Sequence, residues 1–247
     1  MQLDAWFAIQ TGVPRTTDTA RERGQRTAIV GVAEHGNSAL LVTVAPGGEL
    51  LDRRRIDLTD SGLPTHPHHH EGSWAVGRYL NLPGARVLSL ADAVALVERV
   101  RAAAAQGARE SLEALAGALS VPIAGIAIRI CPELPPMIEE RIADNRAQTV
   151  ADTVMYREAL AAAAEARGWS VFWYDRERVS RDAAAALGRK DKDIDAFLSA
   201  MGRSVGPPWQ AKHKLAAAAA IAAGGHRRSR TFVTAHSRTM PSASTRR

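Results

Sequence analysis

The densest cluster of groups able to do chemistry is Thr65-His-Pro-His-His-His-Glu71. Side chains alternate along an extended segment, so His66, His68 and His70 project to one side at a period of two. That spacing can converge on zinc or another transition metal, and Glu71 can add an oxygen ligand. The alternative is a flexible loop, or one that caps a sheet edge by hydrogen bonding. A second constellation lies in residues 145–158, where Gln148, Asp152 and Tyr156 recur at steps of four beside Arg146 and Arg157. On a helix these form one polar stripe, which is either a solvated face or a groove that reads a polar substrate such as nucleic acid. A third is Gln210-Ala-Lys-His-Lys-Leu215. His213 can ligate a metal through a neutral ring nitrogen, whereas Lys212 and Lys214 beside it oppose a cation and suit a phosphate. Cys131 follows an apolar run and reads as an inert thiol. There is no Gly-x-x-x-x-Gly-Lys-Ser/Thr loop, no Gly-x-Ser-x-Gly elbow and no Cys-x-x-Cys pair, which disfavours P-loop, elbow-serine and cysteine-zinc chemistry.

The elements that must position these groups follow from periodicity. Residues 123–130, Ile-Ala-Gly-Ile-Ala-Ile-Arg-Ile, read as a strand covered on both faces. Residues 146–167 carry apolar positions one helical turn apart and end at Gly168, and residues 170–174 return as a second strand. Such a strand–helix–strand unit closes right-handed with its strands parallel. Upstream, residues 27–33, 39–44 and 49–58 predict three strands joined by tight turns, an antiparallel meander, although the arginines at 53–55 are unusual for a strand. Residues 90–119 predict an amphipathic helix that Gly107 could interrupt. Residues 178–187, 192–201 and 209–223 predict three more helices, the last stopped by Gly224-Gly225. The order βββ–α–β–α–β–α makes an α/β domain with a mixed five-stranded sheet and helices on both faces.

The chain has 247 residues and 46% hydrophobic content, enough for one substantial core. Residues 1–26 predict a mobile arm, 27–223 the domain with a His/Pro/Gly-rich insertion at 59–89, and 224–247 a disordered basic tail. The formal charge of +6 belongs to that tail, which holds six arginines and no acid; the remainder balances at 26 basic against 26 acidic residues. Such a tail can contact phosphates without sequence preference. A single cysteine excludes an internal disulfide, and the N-terminus lacks a signal-peptide pattern, so a cytoplasmic location is expected. The alanine runs fall short of the roughly 20 apolar residues that span a bilayer, so no membrane segment is expected. Trp169, Phe172, Trp173 and Tyr174 read as core or interface aromatics, which leaves room for a homodimer.

This element order resembles the ribonuclease H-like superfamily, in particular the RuvC-type Holliday junction resolvases. Residue-level likeness lies in Ile-Val-Gly-Val-Ala-Glu-His-Gly at 29–36, in the stretch from Ile138-Glu-Glu to Val171-Phe-Trp-Tyr, and in the Ala-rich helix after His213. The resemblance implies that carboxylates from the first strand, the fourth strand and the last helix converge to hold magnesium or manganese, which would activate water against a nucleic acid phosphodiester. Carried onto this chain, it implies Glu34, either Glu133 or Glu139, and His213. Glu34 stands one residue past the position of the family's aspartate, and the last helix begins without an acid. A metal-dependent nuclease and a catalytically silent interaction module of the same fold are therefore both expected readings.

Overall fold

The computed structural model describes residues 27–68 and 88–236, with side chains to residue 225. The N-terminal arm, residues 69–87 of the insertion and residues 237–247 lie outside the described residues. Strands β1 (Ala28–His35), β2 (Ser38–Val44) and β3 (Leu50–Asp57) form the antiparallel meander. β4 (Ile123–Arg129) pairs parallel with β1, and β5 (Ser170–Tyr174) pairs parallel with β4. Among the described residues the sheet has five strands in the order β3-β2-β1-β4-β5.

Helices α1 (Leu90–Ala118), α2 (Ile138–Ala143) and α3 (Asn145–Ala166) cover one face. Helices α4 (Val179–Ala186), α5 (Ile194–Val205) and α6 (Ala211–His236) cover the other. Strand alternation divides the core accordingly. Val30 and Val32 of β1 pack toward α1 and α3, while Ile29 and Ala33 pack toward α4 and α6. Ser89 caps α1 by accepting the Asp92 N–H at 3.1 Å. Asp144 caps α3 by accepting the Arg146 and Ala147 N–H groups at 2.7 and 2.8 Å. Those two bonds hold its carboxyl below the usual range.

Three sequence expectations change. Gly107 does not interrupt α1: a Cβ there would lie 2.3 Å from the Leu58 carbonyl oxygen, so the glycine admits the end of β3 against the helix. Gly224-Gly225 does not stop the last helix, which continues to His236. A Cβ on Gly225 would lie 2.6 Å from Ala186 Cβ, so this glycine serves close packing on α4 rather than termination. The arginine run does not weaken β3, because each side chain has a partner. Arg53 donates to the carbonyls of Gly206 at 2.9 Å and Pro207 at 3.1 Å, Arg54 pairs with Asp52, and Arg55 pairs with Asp57. No described helix is long and apolar enough to cross a membrane.

Candidate functional site at the carboxyl edge of the parallel strands

The carboxyl ends of β1, β4 and β5 open together into a cleft of about 950 Å³. Its walls include Glu34 near the end of β1, Ile130 and Cys131 after β4, Asp175 after β5, and Val150, Thr153 and Arg157 from α3. An edge of this kind is where open α/β sheets gather ligands. The side chain at its centre is already engaged. Glu34 Oε1 accepts from Arg157 Nε at 2.9 Å and also from Arg157 Nη2, while Arg157 Nη1 donates to the Ile130 carbonyl at 2.9 Å. The Arg157 and Glu34 side chains are only 6% and 7% exposed, so this is a buried pair with three donors satisfied rather than a solvated contact.

The pair follows from the one-residue displacement of Glu34. Alternation turns Ala33 toward α6 and Glu34 toward α3. Glu34 thus meets a guanidinium on one face, while the position facing the last helix is an alanine. Arg157, expected as a nucleic-acid contact, is instead committed to Glu34. Cys131 lines the same cleft, and burial pushes its thiol up, with the nearby Arg157 offsetting part of that rise. It stays a thiol, as expected. Burial also pushes the Tyr174 phenol up, and its OH donates to the Val32 carbonyl at 2.8 Å.

The remaining candidates disperse. Glu133 is exposed and Glu139 half-buried at the start of α2, and neither lines the cleft. His213, 6% exposed, sits on the other side of the sheet. Its Nδ1 accepts the Gln210 backbone N–H at 3.1 Å, and its ring stacks on Trp209 with centroids 5.4 Å apart. Burial, with Arg53 adding, holds the imidazole below its ordinary range. Lys214 donates to Asp195 at 2.8 Å, and this bond pulls that carboxyl below the usual range. Lys212 is exposed and shares a second cleft of about 480 Å³ with Lys214 and with Arg176, which also borders the first. Arg146 is exposed at the start of α3, away from the cleft lining.

These donors do not fit the divalent ion that the resemblance implies. Glu34 is neutralised by an arginine, and α6 begins with lysines in place of acids. Among the described residues no group of three His, Cys, Asp or Glu side chains is placed to hold a metal.

The polar stripe of α3 is neither a solvated face nor a substrate groove. Gln148, Asp152 and Tyr156 are 2%, 1% and 0% exposed. Their partners include the chain that leaves β3. Tyr156 OH donates to the Thr65 carbonyl at 3.0 Å. Asp152 Oδ1 accepts the His68 backbone N–H at 3.0 Å and His68 Nδ1 at 2.6 Å. Gln148 donates to the Ile142 carbonyl. Residues 59–68 are thus a strap pinned to α3, leaving the sheet at the edge where Glu34 lies. His68 is 1% exposed, and its Nε2 has no hydrogen-bond partner. His66 is half-buried; His70 and Glu71 lie outside the described residues. Replacing Asp152 with alanine strands two buried donors, each worth about 1.5–3 kcal/mol as a bond to a charged group. Hydrogen exchange should then rise in residues 59–68 before it rises in α3; equal protection in both proteins would remove the anchoring role.

The strand order, the parallel β1–β4–β5 set and the helices on both faces make this a ribonuclease H-like α/β fold. Among solved structures, the chain is similar to T. thermophilus RuvC in complex with Holliday junction substrate, with a TM-score of 0.44 and 14% identity over 82% of this chain and 96% of that one. It is likewise similar to a Thermus thermophilus RuvC structure, with a TM-score of 0.44 and 15% identity over 83% and 98%. No family model matches the chain. No curated protein matches it either.

Proposed function

We propose that this chain is a catalytically silent ribonuclease H-like module that binds structured nucleic acid along its sheet edge without cutting it. The Glu34–Arg157 pair carries the reading. A two-metal mechanism needs free carboxylates converging on one point, and here the central carboxylate already has a buried cation on it. Binding is supported by Arg129 and Arg176 in the cleft lining and by Lys212 in the cleft that shares Arg176. Such side chains neutralise phosphates without reading sequence, which makes affinity fall steeply with salt.

The test pairs cleavage with binding. Branched and single-stranded DNA, incubated with the protein and magnesium or manganese, should remain intact, both for the natural chain and for Glu34→Gln. Binding to the branched DNA should weaken several-fold when Arg129 and Arg176 are both replaced by alanine. Cleavage that depends on Glu34 would refute the silent reading, and the absence of salt-sensitive binding would leave a module that contacts only protein.

One observation favours a second reading, a transition-metal site on the strap. Asp152 orients His68 through Nδ1 and leaves Nε2 buried without a partner, the arrangement in which a carboxylate sets a histidine toward zinc. His66, His70 and Glu71 would complete the set. Metal analysis of untagged protein separates the two, since only this reading expects zinc near one equivalent, lost on replacing His68.

A further inference from the structure

The two edges of the sheet are built differently. β3 carries Asp52, Arg53, Arg54, Arg55 and Asp57 among its eight residues, charges of the kind that keep an edge from pairing with another chain. β5, at the other edge, reads Ser-Val-Phe-Trp-Tyr and has no charge, proline or bulge. Among the described residues no strand pairs with its outer side. The Ile130 N–H donates to the Tyr174 carbonyl at 3.0 Å, so Tyr174 and, by alternation, Phe172 and Ser170 bond inward to β4. Val171 and Trp173 therefore turn their N–H and carbonyl groups outward. After Ser170 the strand's own side chains are aliphatic or aromatic on both faces. Trp173 is 47% exposed and Ile130 55% exposed on the α3 face. On the α6 face, Phe172 borders a groove lined by Ala127, Ala219, Ala222 and Ala223 together with Asp175, Arg178 and Asp182.

We propose that β5 pairs antiparallel with β5 of a second copy of this chain, across a two-fold axis at Phe172. The backbone fixes that register. Centred on Phe172, Val171 of each copy faces Trp173 of the other, so the outward-turned residues meet as hydrogen-bonded pairs, and the two Phe172 rings lie side by side. An isologous contact also requires each surface to complement itself. Arg167 precedes β5 and Glu177 follows it, both exposed, so antiparallel pairing brings opposite charges together at each end. The two sheets become one of ten strands, with the two clefts at opposite ends of the seam. This contact does not depend on what the clefts bind.

Sedimentation equilibrium of the full chain should show a reversible dimer. Trp173→Lys, a charge on an exposed outward position, should weaken it tenfold or more while leaving the melting temperature unchanged at concentrations where both proteins are monomeric. Arg167→Glu should weaken it as well, and Arg167→Glu with Glu177→Arg should restore it. In a Cys131→Ser background, Phe172→Cys should form an intermolecular disulfide on mild oxidation, which reports the register directly. A monomer at every concentration, or a dimer indifferent to both Trp173→Lys and Arg167→Glu, overturns the proposal. So does a monomer whose Val171 and Trp173 amides resist exchange, since the edge then has another occupant, such as residues 1–26 or a peptide.

Discussion

Arg157→Ala should lower the unfolding free energy by about 3–5 kcal/mol, the loss expected when one member of a buried ion pair is removed and the other remains. The carboxylate of Glu34 would be left at 7% side-chain exposure with both of its guanidinium donors gone, and the Ile130 carbonyl would lose its donor too. Replacing both members, Glu34→Leu with Arg157→Met, should recover most of the stability, because no uncompensated charge then stays inside. Urea denaturation measures this as a shift in midpoint at constant slope. The outcome bears on function as well. If Arg157→Ala proved neutral and the variant bound magnesium, the pair would be a removable plug over a working carboxylate rather than a closed part of the core.

Gly31→Ala should be still more damaging, by about 4 kcal/mol or more, or should prevent folding. Its Cβ would lie 1.8 Å from the Ala216 carbonyl oxygen and 2.9 Å from the Ala220 nitrogen. Both are backbone atoms of α6 and cannot rotate away. The helix would have to lift off β1 and reopen the alanine-lined face that packs there. Gly117→Ala is the matched control. It adds the same methyl in α1 where nothing lies within 4 Å, so it should stabilise by about 0.5–1 kcal/mol through helix propensity. Thermal melts of the two variants should move in opposite directions; equal shifts would mean that α6 does not seat on Gly31.

Periodicity carried most of the architecture. The order of elements, the antiparallel meander, the parallel pairing of β4 with β5 and the amphipathic α1 were all legible, since alternation and helical spacing are written locally. The site was less legible because it turns on one step of alternation. Whether Glu34 or Ala33 faces the last helix depends on which strand residues point to which face, and a motif displaced by one residue does not announce the change. The α3 stripe was visible as polar at steps of four. Its burial was not, because the groups that satisfy Asp152 and Tyr156 come from Thr65 and His68, some ninety residues upstream. The glycines were the least readable. Gly107 and Gly225 punctuate helices in composition alone, but each owes its place to a neighbour that comes too close for any side chain.

α6 runs counter to β1: its early turns lie on Gly31, while Gly224 reaches Ile29 nearer the strand's start. A helix of 26 residues is about 39 Å long and outruns the sheet it lies on. Its last turns run past the sheet edge opposite the Glu34 cleft, and the sequence from residue 224 onward holds six arginines and no acid, while residues 1–223 are formally neutral. The formal charge of the sequence is therefore uneven, balanced over residues 1–223 and cationic in the stretch that α6 leads away from the cleft. Long-range attraction to a polyanion would draw on that stretch, so approach and seating would be governed by different parts of the sequence.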